Sequence, residues 1–169
     1  MKKLFFLLAF CQSVFAASFS VDASGCDVHF SPKGGATEAV VQIVDGTKSS
    51  VHVLAYGFTS QPITDALIRA HARGAEVLVV LDRSNKTAPS SKMPDLIKAG
   101  IPVWIDATHA IAHNKVMIVD GALIENGSFN YTNSAENSNG ENALVCHSTQ
   151  GAAIYEADFQ RHKSHSVKQ

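Results

Sequence analysis

Residues 113–130 read H-N-K-V-M-I-V-D-G-A-L-I-E-N-G-S-F-N, and their pattern predicts a β-hairpin. Residues 116–119 and 122–124 are apolar runs separated by Asp120-Gly121, a strong two-residue turn signal. A tight turn there sets Lys115 opposite Asn126 and His113 opposite Ser128. Alternate strand residues share a face, so one face gathers His113, Lys115, Asn126 and Ser128, with Asn130 as a diagonal neighbour. A histidine, a lysine, a serine and an asparagine so gathered supply a nucleophile, a cation and neutral hydrogen-bond donors, the groups that cleavage of a phosphodiester needs. Asp120 reads two ways, as a turn former and as a catalytic acid.

Outward from the hairpin, strands and helices alternate. Residues 27–30 form a short strand, and a Pro-Lys-Gly-Gly turn leads to a helix over 37–44 with apolar residues at helical spacing. Residues 51–56 form a strand, followed by a helix that Ser60 can cap, Pro62 can start and Gly74 ends. Residues 76–81 are a nearly continuous apolar run, the pattern of a strand buried on both faces. A helix near 93–99, a strand over 101–105, a polar loop over 132–139, a strand over 142–146 and a helix over 152–162 complete the chain. This order predicts an α/β fold, one mixed sheet with helices on both faces, in a single domain.

The N-terminus stands apart. Lys2 and Lys3 precede an apolar run over residues 4–10, and Val14-Phe15-Ala16 fits a cleavage site. Residues 1–16 thus read as a signal peptide and 17–169 as the exported domain, periplasmic or secreted. An uncleaved anchor is the minor alternative, because the run falls short of the ~20 residues of a membrane span. No stable membrane association is expected after cleavage, since no amphipathic basic helix stands out. Loss of Lys2 and Lys3 takes the formal charge from −1 to −3, so polyanion binding must rest on local patches. The candidates are Arg83, Lys86 and Lys92 in one polar loop, and Arg161, His162 and Lys163 near the C-terminus. Cys11 leaves with the leader. The remaining pair, Cys26 and Cys146, favours a disulfide in an exported chain.

The template His113-x-Lys115-x4-Asp120-x6-Gly127-Ser128-x-Asn130 resembles the HKD signature of the phospholipase D superfamily. A single copy in a short chain is most similar to the bacterial Nuc-type endonucleases. Residues 49–59 (S-S-V-H-V-L-A-Y-G-F-T) and 140–145 (G-E-N-A-L-V) extend the resemblance. It implies metal-independent hydrolysis of DNA, and of RNA by the same chemistry, through a covalent phosphohistidine on His113. Lys115, Ser128 and Asn130 would bind phosphate, Asp120 would belong to the catalytic set, and Glu141 would orient the His113 ring, with Glu136 its competitor. Such chemistry needs a second proton-managing group, so a single-copy chain is expected to share its site across a homodimer. A phospholipase acting on lipid head groups is the alternative.

No cofactor or metal is expected. His109 precedes His113 by four residues, a spacing that suits metal ligation on a helix, but this segment links two strands. His29, His52 and His147 read as ordinary sheet residues, and His71, His162 and His165 as exposed positions.

Overall fold

In the computed structural model, which describes residues 25–169, the chain opens with strand β1 (Cys26–Ser31). Helix α1 (Ala36–Asp45) follows, entered through Gly35 at φ 83°, a left-handed conformation that glycine adopts without penalty. Strand β2 (Ser50–Ala55) leads to helix α2 (Gln61–Ala72), which has Pro62 in its first turn and stops before Gly74 at φ 94°. Strand β3 (Glu76–Asp82), a short 3₁₀ turn (Arg83–Lys86), helix α3 (Met93–Lys98) and strand β4 (Val103–Asp106) come next. The hairpin β5 (Lys115–Val119) and β6 (Leu123–Gly127) precedes helix α4 (Asn133–Asn137) and strand β7 (Glu141–His147). Helix α5 (Thr149–His165) and the two-residue strand β8 (Val167–Lys168) close the chain.

All eight strands join one mixed sheet in the order β1-β7-β6-β5-β2-β3-β4-β8. β2, β3 and β4 are parallel, and the remaining pairings are antiparallel. Helices cover both faces. Val51, Val53 and Ala55 of β2 pack with Val40 of α1 and Leu67 of α2, whereas Leu54 points the other way, into a cluster with Phe159 of α5. That alternation is the period of two of a strand buried on both sides. Cys26 and Cys146 lie directly opposite on β1 and β7 and are joined by a disulfide.

Three expectations need correction. The hairpin register is shifted by one residue: Val116 pairs with Asn126 and Val119 with Leu123. Asp120 and Gly121 do form the tight turn, at φ 53° and 61°, and Ala122 N donates to Val119 O at 3.0 Å. Ala122 is then an extra residue, a bulge that slides β6 along its partner. A one-residue slip changes faces, so Asn126 donates to Tyr155 Oη of α5 at 2.9 Å instead of lying beside Lys115. Second, the polar stretch over 132–139 is not all loop, since Thr132 Oγ1 accepts from Ala135 N at 3.1 Å and starts α4. Third, His162 is buried. The leader over residues 1–16 lies outside the described residues. Among those described, no helix is long and apolar enough to cross a membrane.

Candidate active site

Lys115 starts β5 directly opposite Ala55, the last residue of β2. The His113 segment therefore lies at the carboxyl edge of the parallel strands, where the open α/β sheets place ligands. Two contacts fix its backbone. Tyr56 N donates to Asn114 O at 2.9 Å, and Ala112 N donates to Asp82 Oδ2 at 2.8 Å. Asp82 is buried at the end of β3 and also accepts from Ser84 N at 2.8 Å. Burial works to raise its pKa, but the Ser84 and Ala112 donors outweigh that and hold it below the usual carboxylate range.

His113, Lys115, Gly127, Ser128, Asn130 and Glu141 line one open concavity of about 350 Å³. Lys115 is buried, and its Nζ donates to His113 O at 2.8 Å and to His113 Nδ1 at 3.1 Å. The Tyr56 ring lies 5.5 Å from that Nζ and 4.7 Å from the His113 ring, centroid to centroid. Burial lowers the Lys115 pKa from its ordinary value, and the nearby Glu141 charge works in the opposite direction. An ammonium only donates, so Nδ1 is the acceptor in this contact.

Across the concavity, Ser128 Oγ donates to Asn142 Oδ1 at 3.2 Å and accepts from Asn142 N at 3.1 Å. Gly127 is required by this close approach, because a Cβ there would meet Asn142 O at 2.1 Å. Asn130 Oδ1 is buried without a hydrogen-bond partner among the described residues. Such an atom in an open concavity can accept a hydrogen bond from a ligand.

Five of the residues singled out in the sequence thus meet: His113, Lys115, Ser128, Asn130 and Glu141. The Glu141 carboxylate accepts from Asn139 Nδ2 at 3.0 Å rather than from the His113 ring. Glu136 is elsewhere, accepting from Thr37 N at 2.8 Å in the first turn of α1. Asp120, expected among the catalytic residues, lies at the far end of β5, about 17 Å along the strand from Lys115. Its carboxylate accepts from Thr47 Oγ1 (2.7 Å), Lys48 N (2.8 Å), Ser49 N (2.8 Å), Ser49 Oγ (2.9 Å) and Ser50 N (2.9 Å). It ties the turn to the loop before β2.

The basic groups divide. Arg83 donates to Ala110 O at 3.0 Å, in the loop that carries His113. Lys92 pairs with Asp95, Arg161 with Asp158, and Lys163 lies 5.0 Å from the Trp104 ring centroid. Sequence reasoning missed Tyr56 and Asp82, ordinary residues at strand ends. It also missed a cluster of Asp106, His109, His162 and His165. Its one cue was the shared spacing of D-x-x-H at 106–109 and H-x-x-H at 162–165.

Comparison with known proteins now adds the family. Residues 40–163 match the family described as cardiolipin synthase, PLD-like domain. The chain belongs to the phospholipase D superfamily. A phospholipase D of Rickettsia typhi is 41% identical over 139 residues, 82% of this chain and 68% of that one. A mitochondrial cardiolipin hydrolase of Xenopus laevis is 33% identical over 72% of this chain and 58% of its own length. Among solved structures, the phospholipase D family member Nuc from Salmonella typhimurium superposes with a TM-score of 0.82 at 34% identity, covering 85% of this chain and 97% of Nuc. NucT from Helicobacter pylori shares the fold, with a TM-score of 0.77 at 21% identity. This chain is a phosphodiesterase of the phospholipase D type.

Proposed function

We propose that this protein is an exported, metal-independent endonuclease that cleaves DNA, and RNA by the same chemistry, through a phosphohistidine at a site shared by two subunits. The observation that carries this reading is the open concavity holding one histidine, one lysine and two neutral donors. The 34% identity to Nuc over nearly its whole length supports the nuclease over other substrates.

In this reading His113 Nε2 attacks phosphorus, an N–P bond forms, and the P–O bond to the leaving group breaks. The departing alkoxide takes its proton from the symmetry-related His113. That ring, now the base, removes a proton from the water that cleaves the N–P bond and frees the phosphate product. Lys115, Ser128 and Asn130 stabilise charge on the non-bridging oxygens. Attack by Nε2 requires the ring proton on Nδ1, the position that Lys115 faces at 3.1 Å. A bound phosphate draws the Lys115 ammonium onto itself and frees Nδ1 to donate to Glu141 in the same concavity.

The names of the rickettsial and Xenopus relatives favour a second reading, hydrolysis of phospholipids. Exposed Ile111, two residues before His113, offers an apolar contact for an acyl chain. Supercoiled plasmid, phosphatidylcholine vesicles and cardiolipin vesicles, each assayed with excess EDTA at 20 °C, separate the two. Plasmid cleavage with inert vesicles is expected. Cleavage restored only by added magnesium would overturn the phosphohistidine route, and vesicle hydrolysis alone would assign the lipid substrate.

Subunit mixing tests the shared site. Acid–base assistance is worth ~10²–10⁴-fold, so a heterodimer with one His113→Ala subunit should be nearly inactive. After exchange with excess variant, activity should follow the square of the wild-type fraction. A linear fall would mean that each chain works alone.

A further inference from the structure

We propose that Asp106, His109, His162 and His165 form a binding site for one four-coordinate divalent cation of the zinc type. Three imidazole nitrogens converge on a single carboxylate oxygen: His109 Nδ1 and His162 Nδ1 lie 2.8 Å from Asp106 Oδ2, and His165 Nε2 lies 3.2 Å from it. The four candidate ligand atoms all lie within 4.8 Å of one another. They come from three places in the chain, the end of β4, the loop leading to β5, and the last turns of α5.

Hydrogen bonding alone serves this arrangement poorly. The other oxygen, Asp106 Oδ1, already accepts from Thr108 N at 3.0 Å and His109 N at 3.3 Å. Oδ2 is left with about two lone pairs for three ring nitrogens. A cation resolves this, since each neutral imidazole then contributes a lone pair and the fully buried carboxylate contributes its charge. The donor set, three nitrogens and one oxygen, is a borderline-soft set that suits zinc, and it lacks the oxygen-rich shell of calcium or magnesium. Tetrahedral bonds of ~2.0–2.1 Å place ligand atoms about 3.3 Å apart. The His109 and His162 nitrogens would therefore move about 0.5 Å away from the oxygen, and the ligand atoms now up to 4.8 Å apart would close by about 1.5 Å, a shift within reach of side-chain rotation.

The surroundings are those of a ligand set held by outer partners. The ring nitrogen of His162 that faces away from the cluster, Nε2, lies 3.7 Å from Asp158 Oδ2. Asp106 is fixed by the two backbone donors. A carboxylate behind a ligating histidine and donors behind a ligating carboxylate orient such ligands and raise their basicity. The Asp106 and His162 side chains are buried, while those of His109 and His165 are 43% and 28% exposed. That leaves a path for the ion.

The site is distinct from the catalytic concavity, which none of the four residues lines. A bound cation would staple α5 to the loop that begins after β4 and delivers His113 four residues after His109. Its role would be to hold that loop, and the proposal does not depend on which phosphodiester is cleaved.

The test reads binding directly. Untagged protein is dialysed against buffered zinc, its metal content is measured by mass spectrometry, and its melting temperature is followed. One zinc per chain is expected, together with a rise of about 5–10 °C at a hundred times the dissociation constant. In a His109→Ala/His165→Ala variant the affinity should fall at least a hundredfold and the thermal shift should vanish, whereas His147→Ala should change neither. Wild-type protein without stoichiometric zinc, or a double variant that binds as tightly, would overturn the site. X-ray absorption of the zinc-loaded wild type decides the matter even if the double variant does not fold. Four nitrogen or oxygen neighbours at ~2.0–2.1 Å, three of them imidazole, are expected. A six-coordinate, water-rich shell or fewer than three imidazoles would refute it.

Discussion

The two ends of β5 carry residues of the same motif and are built on opposite principles. At the Lys115 end, Lys115 is a buried cation facing a histidine nitrogen and a backbone carbonyl, and Asn130 Oδ1 has no partner among the described residues. At the Asp120 end, one carboxylate is saturated by the loop over residues 47–50. Unsatisfied polar groups cost stability, whereas satisfied ones specify a fold. In the proposed mechanism the histidine and lysine carry the chemistry, while the contacts of Asp120 tie the turn to the loop before β2.

The largest expected effect separates the ends by activity. His113→Ala should reduce phosphodiesterase turnover by at least ~10⁴-fold while leaving the melting temperature within about 2 °C of wild type. Asp120→Ala, assayed well below its melting temperature, should keep kcat within a few-fold. Equal loss of turnover in both variants, with the fold intact, would break the comparison and return Asp120 to the catalytic set.

Stability should show the reverse order. Asp120→Ala removes the acceptor for five donors and should cost about 2–4 kcal/mol in denaturant unfolding, against little for His113→Ala. Burial works to raise the Asp120 pKa, but Thr47 and the backbone N–H groups of residues 48–50 outweigh it and hold the carboxyl well below the usual range. Its folded value lies below its unfolded value. The stabilisation is therefore full above the unfolded carboxylate pKa and is lost as pH falls through the folded one. The gap between wild-type and variant unfolding curves should therefore be smaller at pH 3 than at pH 7. A gap that stays constant with pH would assign the effect to packing rather than to charge.

These contrasts also mark what the sequence could disclose. Strand alternation, the apolar run of β3 and the Asp120-Gly121 turn made the mixed sheet legible, because periodicity and turn chemistry are local. The register was not, since nothing in D-G-A-L announces that Ala122 is an extra residue. His113, Lys115, Ser128 and Asn130 were legible as a set through their spacing, whereas Asp82 and Tyr56 act through backbone contacts that any strand end can make. The burial of His162 depends on Asp106, 56 residues earlier in the chain, and α5 carries only a weak amphipathic pattern to point to it.

A third carboxylate, midway along the hairpin, sharpens the contrast through pH. Glu125 pairs across from Met117, is fully buried, and accepts from Tyr131 Oη at 2.6 Å. Burial pushes its pKa up to about 8, against the lowering effect of that hydrogen bond. Here the folded value lies above the unfolded one, so stability is full below the unfolded pKa and is lost as pH rises through about 8. Glu125→Gln keeps the acceptor without the charge. It should be close to wild type at pH 5 and more stable by on the order of 2 kcal/mol at pH 8.5. A variant equally destabilised at both values would mean that Glu125 is ionised and paired, like Asp120.

The smallest effect concerns how the Lys115 end meets a polyanion. Arg83 follows β3 at the same edge of the sheet and reaches the His113 loop through Ala110 O, and Lys86 is exposed on the 3₁₀ turn beside it. Lys92, Arg161 and Lys163 are engaged with Asp95, Asp158 and Trp104. With an overall formal charge of −1, the proposed nuclease activity requires that DNA affinity rest on a few such local cations. Each phosphate contact adds roughly one unit to the slope of log affinity against log salt. Arg83→Gln/Lys86→Gln should therefore lower kcat/KM on DNA by a few-fold at ~50 mM salt and flatten the slope by about one to two units, with kcat at saturating substrate unchanged. Because Arg83 also braces the His113 loop, a fall in kcat would assign it to positioning rather than to phosphate contact. An unchanged salt slope would place the DNA on another face, and the Lys115 end would then meet its phosphate without help from this edge of the sheet.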